Sequence, residues 1–251
     1  MLNKNDEKVV LITGGTRGIG KSCVFKFASE GYKIAFTYLN SNKKAEGMKK
    51  ELTKKDIEIF IKRVDNSKKE EIEIMVKNVI GKFGHIDVLV NNAGVSGDKK
   101  IEEIEEEDWD KLIDINLKGT FFFSKNVYKH MKKRKKGRII NISSQAGTTG
   151  GFHIGAHYST SKGGIIVLTR SFAKTGADHG ILVNCVSPGI IDTDMIRSLS
   201  SNAKKDLVKK IPLGRIGTPD DVANVVYFLS SEDSRYITGA NIPVNGGMFM
   251  N

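Results

Sequence analysis

The sequence predicts an α/β protein built on one doubly wound parallel sheet with helices on both faces. Three observations predict it. Short apolar runs alternate with stretches of helical spacing along the whole chain, the pattern of repeated strand–helix–strand units. The runs are apolar at successive positions, as in Val88-Leu89-Val90, which is what strands covered on both faces require. A glycine-rich turn, Gly14-Gly15-Thr16-Arg17-Gly18-Ile19-Gly20, separates the first run from the first helical stretch.

The elements follow in order. Val9-Val10-Leu11-Ile12-Thr13 reads as the first strand, and helical spacing runs from Ile19 to about Glu30, where Gly31 supplies a stop. A second strand is expected at Lys33–Tyr38, a lysine-rich helix at Lys43–Lys54, a third strand at Ile57–Val64 and a helix at Lys68–Lys82. Val88–Val90 is the fourth strand. A long helical region spans about Glu107 to Lys135 and precedes a strand at Arg138–Ile142. Tyr158 to about Gly176 has helical spacing and leads to a strand at Leu182–Val186. After a looser segment, Pro219–Ser230 reads as a helix and Ile242–Val244 as the last strand. No repeat, low-complexity linker or break in composition interrupts the series, so residues 1–251 are expected to form a single three-layer α/β/α domain.

Hydrophobic residues make up 39% and charged residues 27% of the chain, which excludes a disordered polypeptide. Met1 to Lys8 is polar and no apolar run reaches membrane-spanning length, so neither a secretory signal nor a membrane helix is expected. Cys23 and Cys185 stand far apart without metal-ligand spacing; reduced, buried thiols, no metal site and a cytoplasmic location are the expectation. Forty basic against 29 acidic residues give a formal charge of +11. Such an excess can steer phosphate-bearing cofactors, acidic proteins, nucleic acid or a membrane surface. Much of it, as in Lys68 to Lys77, stands beside glutamate and reads as solvated helix surface. The run Lys132-Lys133-Arg134-Lys135-Lys136 has no interleaved acid.

The glycine turn carries the first chemical signal. Between a strand and a helix, glycines let the backbone approach a pyrophosphate, and the helix N-terminus offers N–H groups and partial positive charge. The spacing is G-x-x-x-G-x-G rather than G-x-G-x-x-G, and a turn without a ligand is the alternative. Sites specific for NAD carry an acid after the second strand to hold the ribose hydroxyls. Here that strand ends Ala35-Phe36-Thr37-Tyr38-Leu39-Asn40-Ser41, with no acid before Glu46. That absence, with Arg17 in the turn and Lys43 downstream, points to NADP(H); the alternative is that Arg17 is a solvated turn residue.

Tyr158 and Lys162 stand at i and i+4, on one face of a helix. A free phenol has a pKa of about 10. A neighbouring ammonium stabilises the phenolate and tunes it as a general acid/base. The same spacing arises by chance on many helices, so the setting matters. Ser144 follows Asn141-Ile142-Ser143 at the carboxyl end of an expected strand, and Asn91-Asn92-Ala93-Gly94 ends another, where open parallel sheets bind ligands. A turn or cap role for Ser144 is the alternative. A strand-edge hydroxyl, a tuned tyrosine and a bound nicotinamide together make a site for hydride transfer to a carbonyl.

Thr13-Gly14-x-x-x-Gly18-Ile19-Gly20, Asn91-Asn92-Ala93-Gly94, Asn116, Ser144, Tyr158-x-x-x-Lys162 and Pro188-Gly189 occur in this order over essentially the whole chain. The set resembles the short-chain dehydrogenase/reductase family. That resemblance implies a Rossmann fold in which Tyr158 donates a proton to a substrate carbonyl, Lys162 lowers the tyrosine pKa and holds the nicotinamide ribose, and Ser144 orients the substrate oxygen. It implies that Asn116 holds a water linking Lys162 to solvent, that Asp65 meets the adenine, and that Asn92, Ala93 and Gly94 line the cofactor cleft. Gly14, Thr16, Arg17, Gly18 and Ile19 would cradle the phosphates, and Pro188, Gly189, Ile191 and Thr193 would meet the nicotinamide end. A homotetramer is implied as well.

Within the family, Arg215-Ile216-Gly217-Thr218-Pro219-Asp220-Asp221-Val222-Ala223 and the segment Ile237 to Met248 are most similar to 3-oxoacyl-[acyl-carrier-protein] reductases. Those enzymes use NADPH to make 3-hydroxyacyl thioesters in fatty-acid elongation. An acidic acyl carrier protein is then the implied partner, steered by Lys132 to Lys136; a solvated helix end favoured by the dipole is the alternative reading of that run. Two segments depart from the group. The loop from Ser144 to Tyr158 is slightly longer and carries His153 and His157, read as loop surface residues, and Lys174 to His179 lacks the Glu and Arg expected there. A related reductase of small ketones, sugars or polyols is therefore the alternative function. The intact Ser144, Tyr158 and Lys162, and the lack of aromatic–basic interleaving, argue against a cofactor-sensing or nucleic-acid-binding protein.

Overall fold

Successive strand side chains point to opposite faces of a sheet, so a run such as Val9-Val10-Leu11-Ile12 demands cover on both. Val9 and Leu11 join one buried cluster with Ile72, Met75 and Phe123; Val10 and Ile12 join another with Val24, Phe27 and Val226. The structure, a computed structural model, describes residues 7–151, 154–197 and 200–250. β1 (Val9–Ile12) leads through the glycine turn to α1 (Gly18–Ser29), followed by β2 (Lys33–Tyr38), α2 (Asn42–Thr53), β3 (Ile59–Arg63), α3 (Lys69–Phe83) and β4 (Val88–Asn91). Then come α4 (Glu106–Leu112), α5 (Gly119–Arg134), β5 (Gly137–Ile142), α6 (Ala146–Thr149), α7 (Ala156–Gly176) and β6 (Ile181–Pro188). The last are α8 (Asp194–Arg197), α9 (Ser201–Lys209), α10 (Pro219–Ser230) and β7 (Asn241–Val244).

The seven strands form one sheet in the order β3-β2-β1-β4-β5-β6-β7, and every neighbouring pair is parallel. This is the doubly wound Rossmann arrangement. Strand order reverses between β1 and β4, and a ligand crevice opens at their carboxyl ends.

Local chemistry sets the boundaries. Gly31 and Gly84 end α1 and α3 at φ values of +78° and +82°. At the start of α10 Pro219 occupies the first turn, and Thr218 and Asp221 exchange backbone-to-side-chain bonds at 2.7 and 3.2 Å. The expected strand at Lys33–Tyr38 and helix at Pro219–Ser230 match residue for residue. The long helical region does not stay α-helical: a π-helical turn, Ile113–Lys118, separates α4 from α5. The looser segment after β6 holds α8 and α9, and α6 fills part of the loop after Ser144. Among the described residues, no helix is long and apolar enough to cross a membrane.

Lys132, Lys133 and Arg134 form the last turn of α5, where the helix dipole favours cations, and Arg134 Nη1 lies 3.0 Å from Asp87. The run Lys132 to Lys136 thus precedes the amino end of β5, at the opposite edge of the sheet from Ser144 in the same chain.

Candidate active site

Side chains, not strand pairing alone, join the carboxyl ends of β1 and β4. Thr13 Oγ1 accepts the N–H groups of Asn92 and Ala93, each at 2.9 Å. Asn92 Nδ2 in turn donates to the carbonyls of Thr13 (2.9 Å) and Gly14 (3.1 Å). From the other side, Gly14 N–H donates to Thr37 Oγ1 and Gly15 N–H to the Thr37 carbonyl, at 3.1 and 2.9 Å. Gly14 holds a φ of +68°, which a side chain would strain. A methyl on Gly20 would run into the Gly14 carbonyl oxygen and the Asn92 amide.

The start of α1 has no side-chain cap. Arg17 at its N-cap is extended and exposed, and the first turn holds no acid. Thr16 is buried and Ile19 half-buried beside it. Thr193 Cγ2 lies 3.3 Å from where a Cβ on Gly18 would stand, so the loop after β6 meets the glycine turn. A backbone pinned to its neighbours, an uncapped helix start and a wall without side chains at Gly14 and Gly94 fit a pyrophosphate-bearing dinucleotide. Asp65, after β3, is partly engaged locally: its Oδ1 accepts the Ser67 N–H and hydroxyl at 2.9 and 2.8 Å.

On the other side of the crevice, Ser144 follows β5 while Tyr158 and Lys162 lie one turn apart in α7. Two glycines let α6 and α7 touch and bring these groups together. A Cβ on Gly147 would stand 2.6 Å from the Lys162 carbonyl carbon, and one on Gly163 would stand 3.0 Å from the Gly147 carbonyl oxygen. Ser143 Oγ adds a bond to the Lys162 carbonyl at 2.7 Å. The Ser144 hydroxyl stands near enough to the Tyr158 phenol to act on it, and Ser144 Oγ accepts the Ala146 N–H at 3.2 Å.

Burial raises the Tyr158 phenol above its ordinary value, and the Ser144 hydroxyl beside it offsets part of that rise. Lys162 Nζ lies 5.9 Å from the Tyr158 ring centroid and donates to the Ile142 carbonyl at 2.9 Å. Burial pushes Lys162 down to about 8, and the neighbouring Cys185 acts in the opposite direction. Burial is the largest cause acting on both groups, raising the phenol and lowering the ammonium.

Asn116 sits on the π-helical turn and is fully buried. Its Oδ1 accepts the Val95 N–H (2.8 Å), and its Nδ2 donates to the Val95 carbonyl (2.9 Å) and Ser161 Oγ (3.1 Å). Its amide is thus committed to tying the loop after β4 to α7. Asn116 Oδ1 and Lys162 Nζ lie 3.0 and 3.5 Å from where a Cβ on Gly94 would stand, so the three share one corner. The Pro188 carbonyl accepts the Gln145 N–H at 2.9 Å, Gly189 packs on Asn245, and Ile191 is buried and bridged to Gly217.

Some of this lay outside the sequence reading. Thr37, Gly147 and Ser161 build the site but belong to none of the recognised motifs; a glycine just after a strand-end serine was the available signal for Gly147. His157, expected on the loop surface, lies in the first turn of α7 and is buried between Gly97 and Gly155, with Nδ1 unpartnered among the described residues. His153 lies outside the described residues.

A parallel sheet of this order, with serine, tyrosine and lysine gathered at its carboxyl edge beside a dinucleotide cradle, defines a nicotinamide-dependent oxidoreductase. A family model described as enoyl-(acyl carrier protein) reductase matches residues 14–249, and the chain belongs to the short-chain dehydrogenase/reductase family. It is 42% identical over 243 residues to the 3-oxoacyl-[acyl-carrier-protein] reductase FabG of Staphylococcus epidermidis, covering 97% of this chain and 99% of that protein. Identity to the protein of the same name from Aquifex aeolicus is 42% over 244 residues, covering 96% and 97% of the two chains. For Thermotoga maritima it is 38% over 247 residues, with the same coverage.

Proposed function

We propose that this chain reduces a 3-oxoacyl-[acyl-carrier-protein] thioester to the 3-hydroxyacyl thioester, with NADPH as reductant, in cytoplasmic fatty-acid biosynthesis. The observation that carries this reading is the gathering of Ser144 and Tyr158 beside a buried Lys162, in a chain 42% identical over nearly its whole length to reductases of that name. Residues 1–251 act as one dinucleotide-binding and catalytic unit.

When bound, the nicotinamide supplies a hydride to the carbonyl carbon. The chain's own residues do the rest. Tyr158 Oη holds the proton that the substrate oxygen takes; a phenol raised above its ordinary value is protonated at neutral pH, the form a reduction needs. Ser144 Oγ, beside Tyr158, orients that oxygen. Lys162, held near the phenol by the Ile142 carbonyl, binds the ribose hydroxyls and returns a proton toward Tyr158. Asn116 is the positioning residue that fixes Val95 and Ser161 around them. Gly14, Thr16, Arg17, Gly18 and Ile19 hold the pyrophosphate, Asp65 the adenine, and Asn92, Ala93 and Gly94 the cleft wall. Pro188, Gly189, Ile191 and Thr193 hold the carboxamide end. The preference for NADP(H) is supported by exposed Arg17 and by the lack of acid from Thr37 to Ser41.

Phe121 and Val167, apolar and exposed on α5 and α7, support assembly as a homotetramer through those helices, which light scattering after gel filtration checks. The substrate is tested by a panel of acetoacetyl thioesters, carrier-bound and small, against ketones, sugars and polyols. The carrier-bound thioester is expected to give the highest kcat/KM. A higher value for a small ketone, sugar or polyol would overturn the substrate and leave the reductase.

A further inference from the structure

We infer that Arg63 is a specificity-determining residue that binds the phosphate distinguishing NADP(H) from NAD(H), reaching it from β3. The inference rests on the NADP(H) reading above and deepens it by naming a second strand as its source. Arg63 is the last residue of β3 and stands in register opposite Tyr38, the last residue of β2. The pairing continues one step further, since the Val64 N–H donates to the Tyr38 carbonyl at 2.9 Å. From this position the Arg63 side chain crosses to the segment after β2, and its Nε donates to the Leu39 carbonyl at 3.2 Å. That bond anchors the guanidinium where dinucleotide sites read the ribose 2′ substituent. The same strand end holds the glycine turn, through the bonds of Thr37 to Gly14 and Gly15. The phosphate cradle is therefore held by Thr37 near the end of β2 and the guanidinium by Leu39, two residues further on.

The charge around Arg63 is unbalanced. Elsewhere, Lys33 is paired with Glu7 and Glu58, Arg134 with Asp87 and Arg215 with Asp221. Arg63 is exposed, and its Leu39 bond is its one hydrogen bond or ion pair among the described residues. The first turn of α2 contains Lys43 and Lys44 and no acid, against the preference of the helix dipole, whereas α3 and α10 carry acids in theirs. With Nε engaged by Leu39, Nη1 and Nη2 remain to bind two phosphate oxygens in the fork geometry that guanidinium offers. A ribose hydroxyl brings no charge to meet them, so the arrangement discriminates.

The test needs no turnover. The full-length chain is titrated calorimetrically, without substrate, with NADP⁺ and with NAD⁺, which differ only in the 2′-phosphate. The wild type is expected to bind NADP⁺ more tightly. Arg63→Gln is expected to weaken NADP⁺ about tenfold, or about 1.4 kcal/mol, with NAD⁺ changed by less than about twofold, the measure of no effect here. Arg63→Lys, a point charge without the fork, should fall between. If Arg63→Gln keeps the wild-type preference, or weakens both dinucleotides alike, the assignment of Arg63 is overturned while the cofactor reading stands. If the wild type shows no preference for NADP⁺, the cofactor reading fails first and the inference with it.

Discussion

The two sides of the crevice are built by opposite means. Where β1 meets β4, the chain removes side chains: Gly14 turns at positive φ, Gly20 admits the Gly14 carbonyl, and Thr13 and Asn92 bond to backbone. Where β5 meets α7, it gathers polar side chains in a buried place: Tyr158, Lys162, Ser161 and Asn116. The first side is a backbone device with no titratable group at its centre. The second holds Lys162, whose charged form burial disfavours, so the chemistry proposed there is carried at some expense of stability.

Three variants break or sharpen this comparison. The largest effect is expected from Gly147→Ala, whose methyl would stand 2.6 Å from the Lys162 backbone and push α6 from α7. Displacing Ser144 from Tyr158 should lower kcat about 100-fold with dinucleotide affinity retained. Loss of affinity instead would mean that the two sides are not separable. Gly20→Ala should do the reverse, weakening dinucleotide binding roughly 30-fold through the clash with Gly14 while kcat at saturation stays near normal.

The smallest effect is in stability. Lys162 falls from 10.5 to about 8 on folding. Between those values the unfolded chain keeps a proton that the folded chain has released, so stability rises with pH across that window. Below pH 8 the folded protein must bury the charge. Lys162→Met removes that burden and should raise Tm by about 3 °C at pH 7, a gain that shrinks as pH approaches 10.5, with activity lost. A lower Tm at pH 7 would mean that the bond to the Ile142 carbonyl outweighs the burial.

The fold was legible because parallel strands covered on both faces leave uninterrupted apolar runs, and because Gly31 marks a helix end. The order of the motifs also made Ser144, Tyr158 and Lys162 legible. What stayed hidden depends on contacts between distant residues. The π-helical turn at Ile113–Lys118 hides inside a helical pattern whose period it barely alters, although it carries Asn116. Gly147 and Gly163 matter only because α6 lies on α7, and Arg63 only because β3 pairs with β2. Burial could not be read either: it acts on the Tyr158 phenol and took His157 off the surface. The basic run at Lys132 to Lys136 shows the same limit, since only topology reveals that it lies across the sheet from Ser144.

The central claim is that Tyr158 supplies the proton, and Tyr158→Phe tests it most directly because the ring stays and the hydroxyl goes. Turnover of the best thioester should fall about 1,000-fold, with dinucleotide affinity and Tm close to those of the wild type. Near-normal turnover in this variant would contradict the mechanism.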